Sequence, residues 1–349
     1  MVQKKYVGFI CALLLSSNLF ALENTDKNLK EIASSQKQWT GIAISEQKRI
    51  FVNYPHWSDD VPVSVAELVD GKPVAYPSVS WNNRDNKESF NAIQSVVVDA
   101  KNRLWVLDTN NARFKGVQKN GPILFQFDLK TNTKVKAYSF QKETYLKNSY
   151  FNDVRIDTNK EIAYITDSGN GALVILDLTT GKSKRVLDNH SSTKSEVDLL
   201  VTDGHIWKRS VDADGIALSK DGEYLYYIAL SAHTLYRIST DALLDESLSK
   251  EALAKKVETI ATVPATDGMM FDKDGNLWLG ALESNGINMF DTNKKLIRVL
   301  QSPNIRWADS FAIDKDGEVY FTTSQISLPK EERGLFQIFS FNPQTIMEK

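Results

Sequence analysis

Apolar and polar positions along the 349-residue chain recur in one motif: an apolar-x-apolar triplet closed by Asp or Ser, a short polar turn, then an apolar run rich in aromatics. It reads Ile42-Ala43-Ile44-Ser45 leading to Ile50-Phe51-Val52, then Val96-Val97-Val98-Asp99 to Leu104-Trp105-Val106. Val154-Arg155-Ile156-Asp157 leads to Ala163-Tyr164-Ile165, and Ile216-Ala217-Leu218-Ser219 to Leu225-Tyr226-Tyr227. The last two copies are Met270-Phe271-Asp272 with Leu277-Trp278-Leu279, and Phe311-Ala312-Ile313-Asp314 with Val319-Tyr320-Phe321. Anchors at Ser45, Asp99, Asp157, Ser219, Asp272 and Asp314 stand between 42 and 62 residues apart, the length of one four-stranded blade with its loops. Third strands follow, as in Leu124–Asp128 and Leu173–Asp177, and fourth strands follow most of them. The pattern predicts an all-β, six-bladed propeller of four antiparallel strands per blade, forming a single domain over residues 22–349.

The sixth copy lacks a fourth strand, and Leu29–Ala33 near the N-terminus has the composition to supply it. Pairing the two ends of the chain would close the ring and remove a free sheet edge. Asp241–Lys256, rich in Leu, Ala, Glu and Lys, predicts a short surface helix. The turns Asp272-Lys273-Asp274-Gly275 and Asp314-Lys315-Asp316-Gly317 carry the Asp-Gly chemistry of tight hairpins rather than a calcium loop, because no Glu follows at bidentate spacing.

Ahead of the first copy, Lys4 and Lys5 precede an apolar run, Val7–Leu15, and the small residues ending at Ala21. That order predicts a secretory signal over residues 1–21, too short to span a bilayer. Cleavage would remove two lysines and the chain's one cysteine, Cys11, taking the net charge from −2 to −4. A cysteine-free secreted or periplasmic protein, not held at a membrane after cleavage, is the expectation. Balanced charge with no basic face argues against nucleic acid as partner. Nothing in the repeat requires a second subunit, so a monomer is expected.

Candidate chemistry follows from the repeat. Thr40, Gln94, Asn152, Asp214, Asp267 and Asp309 stand just ahead of the six first strands, which line a propeller's channel, so they should form a ring at one mouth. Loops opening on the same face add Tyr54, His56, Trp57, Asp167 and Trp307, among others. An oxygen-rich ring suits Ca²⁺, with Asn152 and Asp214 as ligands. Clustered carboxylates also raise one another's pKa and serve as general acids or bases, which makes Asp214 and Asp267 catalytic candidates beside His56. Gln94, Asn152, Asp167, Asp309, Tyr54 and Trp307 are candidate ligand-binding residues, the aromatics suiting a flat ring or an amine. The same polar residues also suit strand capping and channel water. Four scattered His with no mature Cys give no zinc signature, and no Gly-x-Ser-x-Gly elbow is present.

Several stretches resemble the Yellow/major royal jelly protein family. These are Gln94–Asp99 with Arg103–Thr109, Gly121–Leu129, Tyr150–Asp157, Ala163–Gly169, and Asp214–Ser219 continuing through Tyr226-Tyr227 and Leu230-Ser231 to Ser239-Thr240. The resemblance is collinear over about residues 39–345. It implies a secreted six-bladed propeller that binds a small ligand, aromatic or amine, in its channel, with dopachrome tautomerisation as an activity of some members. Ala100-Lys101-Asn102 and Gly121-Pro122 stand where insect members carry cysteines, which implies a bacterial member. Asn152 and Asp214 also resemble metal-binding positions of gluconolactonase/senescence-marker propellers, which implies a metal-dependent lactonase as the alternative. Thr40-Gly41 stands where that family's first-blade glutamate is expected.

Overall fold

Second strands of the repeat are mostly apolar, and every residue of Ile162–Asp167 is buried. Such strands must be covered on both faces, whereas outermost strands such as Thr133–Ser139 carry lysines and stay largely exposed. The computed structural model, which describes residues 26–61, 63–86 and 88–347, meets both demands with six four-stranded antiparallel sheets arranged as blades. The candidate signal and Cys11 lie outside the described residues.

Blade 1 comprises Ile42–Ile44, Ile50–Asn53, Val65–Val69 and Lys72–Ala75. Blade 2 has Ile93–Val98, Arg103–Asp108, Ile123–Asp128 and Thr133–Ser139; blade 3 has Phe151–Asp157, Ile162–Asp167, Ala172–Asp177 and Ser183–Val186. Blade 4 is Ala213–Leu218, Tyr224–Ala229, Thr234–Ser239 and Glu258–Thr262; blade 5 is Met269–Phe271, Leu277–Ala281, Gly286–Phe290 and Leu296–Gln301. In blade 6, Ala308–Ile313, Val319–Thr323 and Phe336–Phe341 are completed by Lys30–Ser35, antiparallel to the last of them. The first strands contact one another in sequence and back from blade 6 to blade 1, so the ring is closed at the predicted seam.

The core lies in the seams between blades. Trp105, Leu107, Phe151 and Val174 join blades 2 and 3, Tyr164, Leu173 and Tyr227 join 3 and 4, and Trp39, Tyr54, Ala312 and Ile338 join 6 and 1. Polar latches on second strands cross the same seams. Asn53 Nδ2 donates to Gln94 O at 3.2 Å, Thr166 Oγ1 to Asp214 O at 2.7 Å, and Thr322 Oγ1 to Thr40 O. At the ends of the first strands, Asp99 and Asp272 accept their own turns' N–H groups and the indoles of Trp105 and Trp278, at 2.8 and 2.9 Å. These aspartates are turn chemistry, as the sequence suggests. The predicted surface helix is two short ones, Thr240–Leu244 and Lys250–Ala254. One element has no counterpart in the repeat: a ribbon of Leu200–Thr202 and His205–Trp207 between blades 3 and 4.

Candidate functional site

The six ring positions lie at the start of the first strands, and four sit at breaks in register. The pairing with the second strand slips between Ile93 and Ser95, Phe151 and Val154, Ala213 and Ile216, and Ala308 and Phe311. Gln94, Asn152, Asp214 and Asp309 are among the residues left out of the ladder, and a bulge re-aims such a side chain away from the sheet's alternation. Gly215 and Gly268 follow two of the acids because neighbouring first strands come too close for a side chain. A Cβ on Gly215 would lie 2.4 Å from Asp267 O, and one on Gly268 2.2 Å from Asp309 O.

A continuous hydrogen-bonded row runs across this end. Trp57 Nε1 donates to the Tyr150 hydroxyl at 2.6 Å, and Tyr150 donates to Gln94 Oε1 at 2.8 Å. Gln94 Nε2 donates to Asn152 Oδ1 at 2.8 Å, and Asn152 Nδ2 to Asp214 Oδ2 at 2.5 Å. From the other side, Trp307 Nε1 donates to Asp267 Oδ2 at 2.7 Å. An indole can only donate, so each tryptophan fixes the direction of the bonds that follow it and the orientation of both amides. The two runs meet at the carboxyl groups of Asp214 and Asp267, which lie within hydrogen-bonding reach of each other. Two acceptors facing one another require a proton between them.

Burial supplies the reason for that proton to stay. Asp214 and Asp267 are 3% and 8% exposed, and desolvation raises both carboxyls well above the ordinary range, with Asp153 and Asp309 adding repulsion. The charge of Asp214 further raises Asp267, while a bond from Asp267 lowers Asp214, so the two carboxyls titrate together, both above the ordinary carboxylate range. Asp309 is pushed up to about 7, chiefly by burial and next by the nearby Asp153, while its bond from the Ser310 hydroxyl opposes the rise. Asn152, Asp153 and Ser310, beside these acids, retain partial exposure.

The other residues singled out from sequence take different places. Thr40 occupies the blade 1 position, and its hydroxyl accepts from Asn53 Nδ2 at 3.1 Å. Asp167 is consumed by its loop, accepting from Tyr150 N at 2.8 Å and from the Ser149 hydroxyl and Arg185 at 2.6 Å each. Tyr54 is packed against Trp39 in the seam between blades 6 and 1, its hydroxyl pushed up to about 12 by burial. His56 is bonded through Nδ1 to Asn91 O at 2.8 Å; burial lowers its pKa, and Arg84 and Arg113 add to the fall. No hydrogen bond joins His56 to the carboxyl row among the described residues. Trp307 takes φ +63°, costly for a bulky residue, and stacks edge-on against Trp207 of the ribbon at 5.0 Å.

Sequence reasoning missed Tyr150 and the part played by Trp57. Both sit under Phe114, whose ring is stacked at 4.9 Å from Tyr150 and 6.2 Å from Trp57. Arg113 and Phe114 both have φ +55°, so this cover is a strained loop. A signal was available: Tyr150 lies two residues before the ring position Asn152, within a stretch that carries the family resemblance.

As arranged, the ring does not fit a calcium ion. Asn152 turns its carbonyl to Gln94 and its N–H to Asp214, and the hydroxyl of Thr40 already accepts from Asn53. No cluster of three His, Cys, Asp or Glu with metal-holding geometry occurs among the described residues.

Comparison with known proteins agrees with this geometry at the level of the fold. The family model described as "Major royal jelly protein" matches residues 92–332. The yellow-related salivary protein LJM17 of Lutzomyia longipalpis is 26% identical over 236 residues, 60% of this chain and 57% of that protein. The protein yellow of Drosophila melanogaster is 26% identical over 226 residues, 58% of this chain and 41% of its own length. The chain thus spans about half the length of the curated relatives it matches. Among solved structures, a gluconolactonase from Xanthomonas campestris superposes with TM-score 0.58 at 13% identity, covering 90% of this chain and 89% of that one. A luciferin-regenerating enzyme superposes with TM-score 0.59 at 14% identity, covering 90% and 94%. At such identities these two share the fold alone.

Proposed function

The chain belongs to the major royal jelly protein family, and from that premise and the carboxyl pair we propose that it binds a small aromatic or amine-bearing molecule at the acidic end of its channel and moves a proton on it. The observation that carries this reading is the buried Asp214–Asp267 pair, one carboxyl held by the Asn152 amide and the other by the Trp307 indole. Such a pair offers a base and an acid at one place, which a tautomerisation needs: one carboxylate takes a proton from the ring, and the neighbouring carboxyl returns one at another atom. The exchange balances without oxidant or reductant. Asp309, poised near neutral pH, sets the charge the pair experiences and gives an ammonium group a counter-ion. Dopachrome is the first substrate to try, because its conversion is a proton shift on a small ring.

The test follows dopachrome loss by absorbance. The wild-type protein should exceed a heat-denatured control, and Asp214→Asn should lower the rate by about a hundredfold or more. Decay no faster than the control would remove dopachrome as substrate; full activity in Asp214→Asn and Asp267→Asn would remove the pair as the proton-transfer group. The alternative, a lactonase dependent on a divalent cation, needs Asn152 to reverse its amide. Chelator-sensitive lactone hydrolysis would establish it against our reading. Secretion belongs to the same proposal. The salivary relatives support it, and sequencing the N-terminus of exported protein tests it.

A further inference from the structure

The channel's other end holds a cavity of about 450 Å³, within the usual range for small-molecule sites. It is framed by the ends of the first strands of blades 2 to 6 and by the C-terminal segment at Asn342–Gln344. Its wall is apolar: Val97, Ile156, Leu218, Phe271 and Ile313, with Phe271 braced edge-on against Tyr226 at 5.0 Å.

Arg155 separates this cavity from the carboxyl row. It leaves blade 3, and its Nη2 donates to Met269 O of blade 5 at 2.8 Å, so the side chain reaches past blade 4 and bars the channel. Nη1 donates to Val154 O at 2.7 Å, and Nη2 also lies 3.3 Å from Asp153, the acid whose charge bears on Asp214, Asp267 and Asp309. The guanidinium is therefore tethered on the acid side. Nε is buried with no acceptor, and one Nη1 hydrogen remains beyond those bonds, since the group carries five donors and can accept nothing. At the rim, Asp99 is paired with Arg103 at 2.6 Å, and Asp314 and Asp316 with Lys48 at 2.9 and 2.7 Å. Asp272, Asp274, Lys273 and Lys315 also line the cavity, and Arg155, tied to Asp153, is the cation among its apolar wall residues.

We propose that this cavity is a second binding site, independent of the carboxyl row, for a small flat molecule bearing a carboxylate. The ring packs among Ile156, Leu218, Phe271 and Ile313, and one carboxylate oxygen accepts from the remaining Nη1 hydrogen of Arg155. The two channel ends thus sort ligands by charge: the carboxyl row favours cationic or proton-exchanging groups, and this well favours anions.

Calorimetric titration of the full chain with indole-3-acetate, against the neutral isostere indole-3-acetamide, tests the proposal. The expected result is saturable 1:1 binding of the acid, with the amide at least tenfold weaker. Arg155→Gln should weaken the acid at least tenfold and leave the amide nearly unchanged. Because Arg155→Gln also removes an internal tie, Ile313→Trp serves as the second variant: it fills the well from its wall, leaves Arg155 in place, and should abolish binding of both. Asp214→Asn should leave binding intact. The proposal is overturned by equal affinity for acid and amide, by no saturable binding, or by binding that survives Ile313→Trp but is lost in Asp214→Asn.

Discussion

Asp309→Asn offers a direct reading of the charge stored at the acidic end. The carboxyl is lifted from its usual 3.8 to about 7. At about 1.4 kcal/mol per tenfold, ionising it inside the fold costs about 4 kcal/mol more than in the unfolded chain. A carboxyl raised in the folded state binds more protons there than when unfolded, so stability falls as pH rises from about 4 through about 7. Removing the charge therefore stabilises, and by more at higher pH: about 2 kcal/mol at pH 5 and about 4 kcal/mol at pH 8. Asp309 also adds repulsion to Asp214 and Asp267, so the variant relaxes them in the same direction. Urea unfolding of both proteins at the two pH values, with refolding to establish reversibility, supplies the comparison. A stability difference that stays flat between pH 5 and pH 8, or a less stable variant at pH 8, would refute the reasoning.

Other consequences are equally direct. Trp57→Phe removes the donor that sets the direction of the row, and should cost about 1 to 2 kcal/mol in urea unfolding and lower any proton-transfer rate. Gly268→Ala drives a Cβ to 2.2 Å from Asp309 O and should destabilise by about 3 kcal/mol or more, seen as a lower urea midpoint at unchanged slope. Deleting the chain through Ser35 uncovers the edge of Phe336–Phe341, and light scattering should report association that the full chain does not show. The rate of proton transfer should change through about pH 7 in the wild type, and that step should vanish in Asp309→Asn.

Blade number, strand order, ring closure and the six channel positions are legible in the sequence because each repeat reports the same physics: apolar strands, a turn opened by Asp or Ser, and a polar residue where the channel begins. What the sequence withholds is direction. Asp214 and Asp267 announce themselves as acids, but the direction of the bonds that reach them depends on Trp57 and Trp307, which lie 93 and 40 residues from the groups they bond, Tyr150 and Asp267. Tyr54 and Asp167 have the composition of binding residues, yet one is absorbed by a seam and the other by its own loop, since packing and backbone N–H groups compete for the same side chains. Arg155 sits inside an apolar triplet, where alternation along a strand turns every second residue to the channel, and its span to blade 5 needs the closed ring to exist. The ribbon that braces Trp307 belongs to no repeat, so periodicity gives no hint of it.

The seam in blade 6 also sets an order of events. Glu31 and Gln337 bond across it though they stand 306 positions apart in sequence. In an unstructured chain, closing so long a loop costs about 3 to 4 kcal/mol more entropy than closing a five-residue hairpin. Stacking the preceding blades brings the two ends near each other and removes most of that cost, so the clasp forms last and its rate reports on everything made before it. Synthesis runs the same way: Lys30–Ser35 is made long before its partner Phe336–Phe341. A chain interrupted anywhere short of that strand carries an unmatched edge, and the finished molecule is distinguished from every shorter product by having none at this seam.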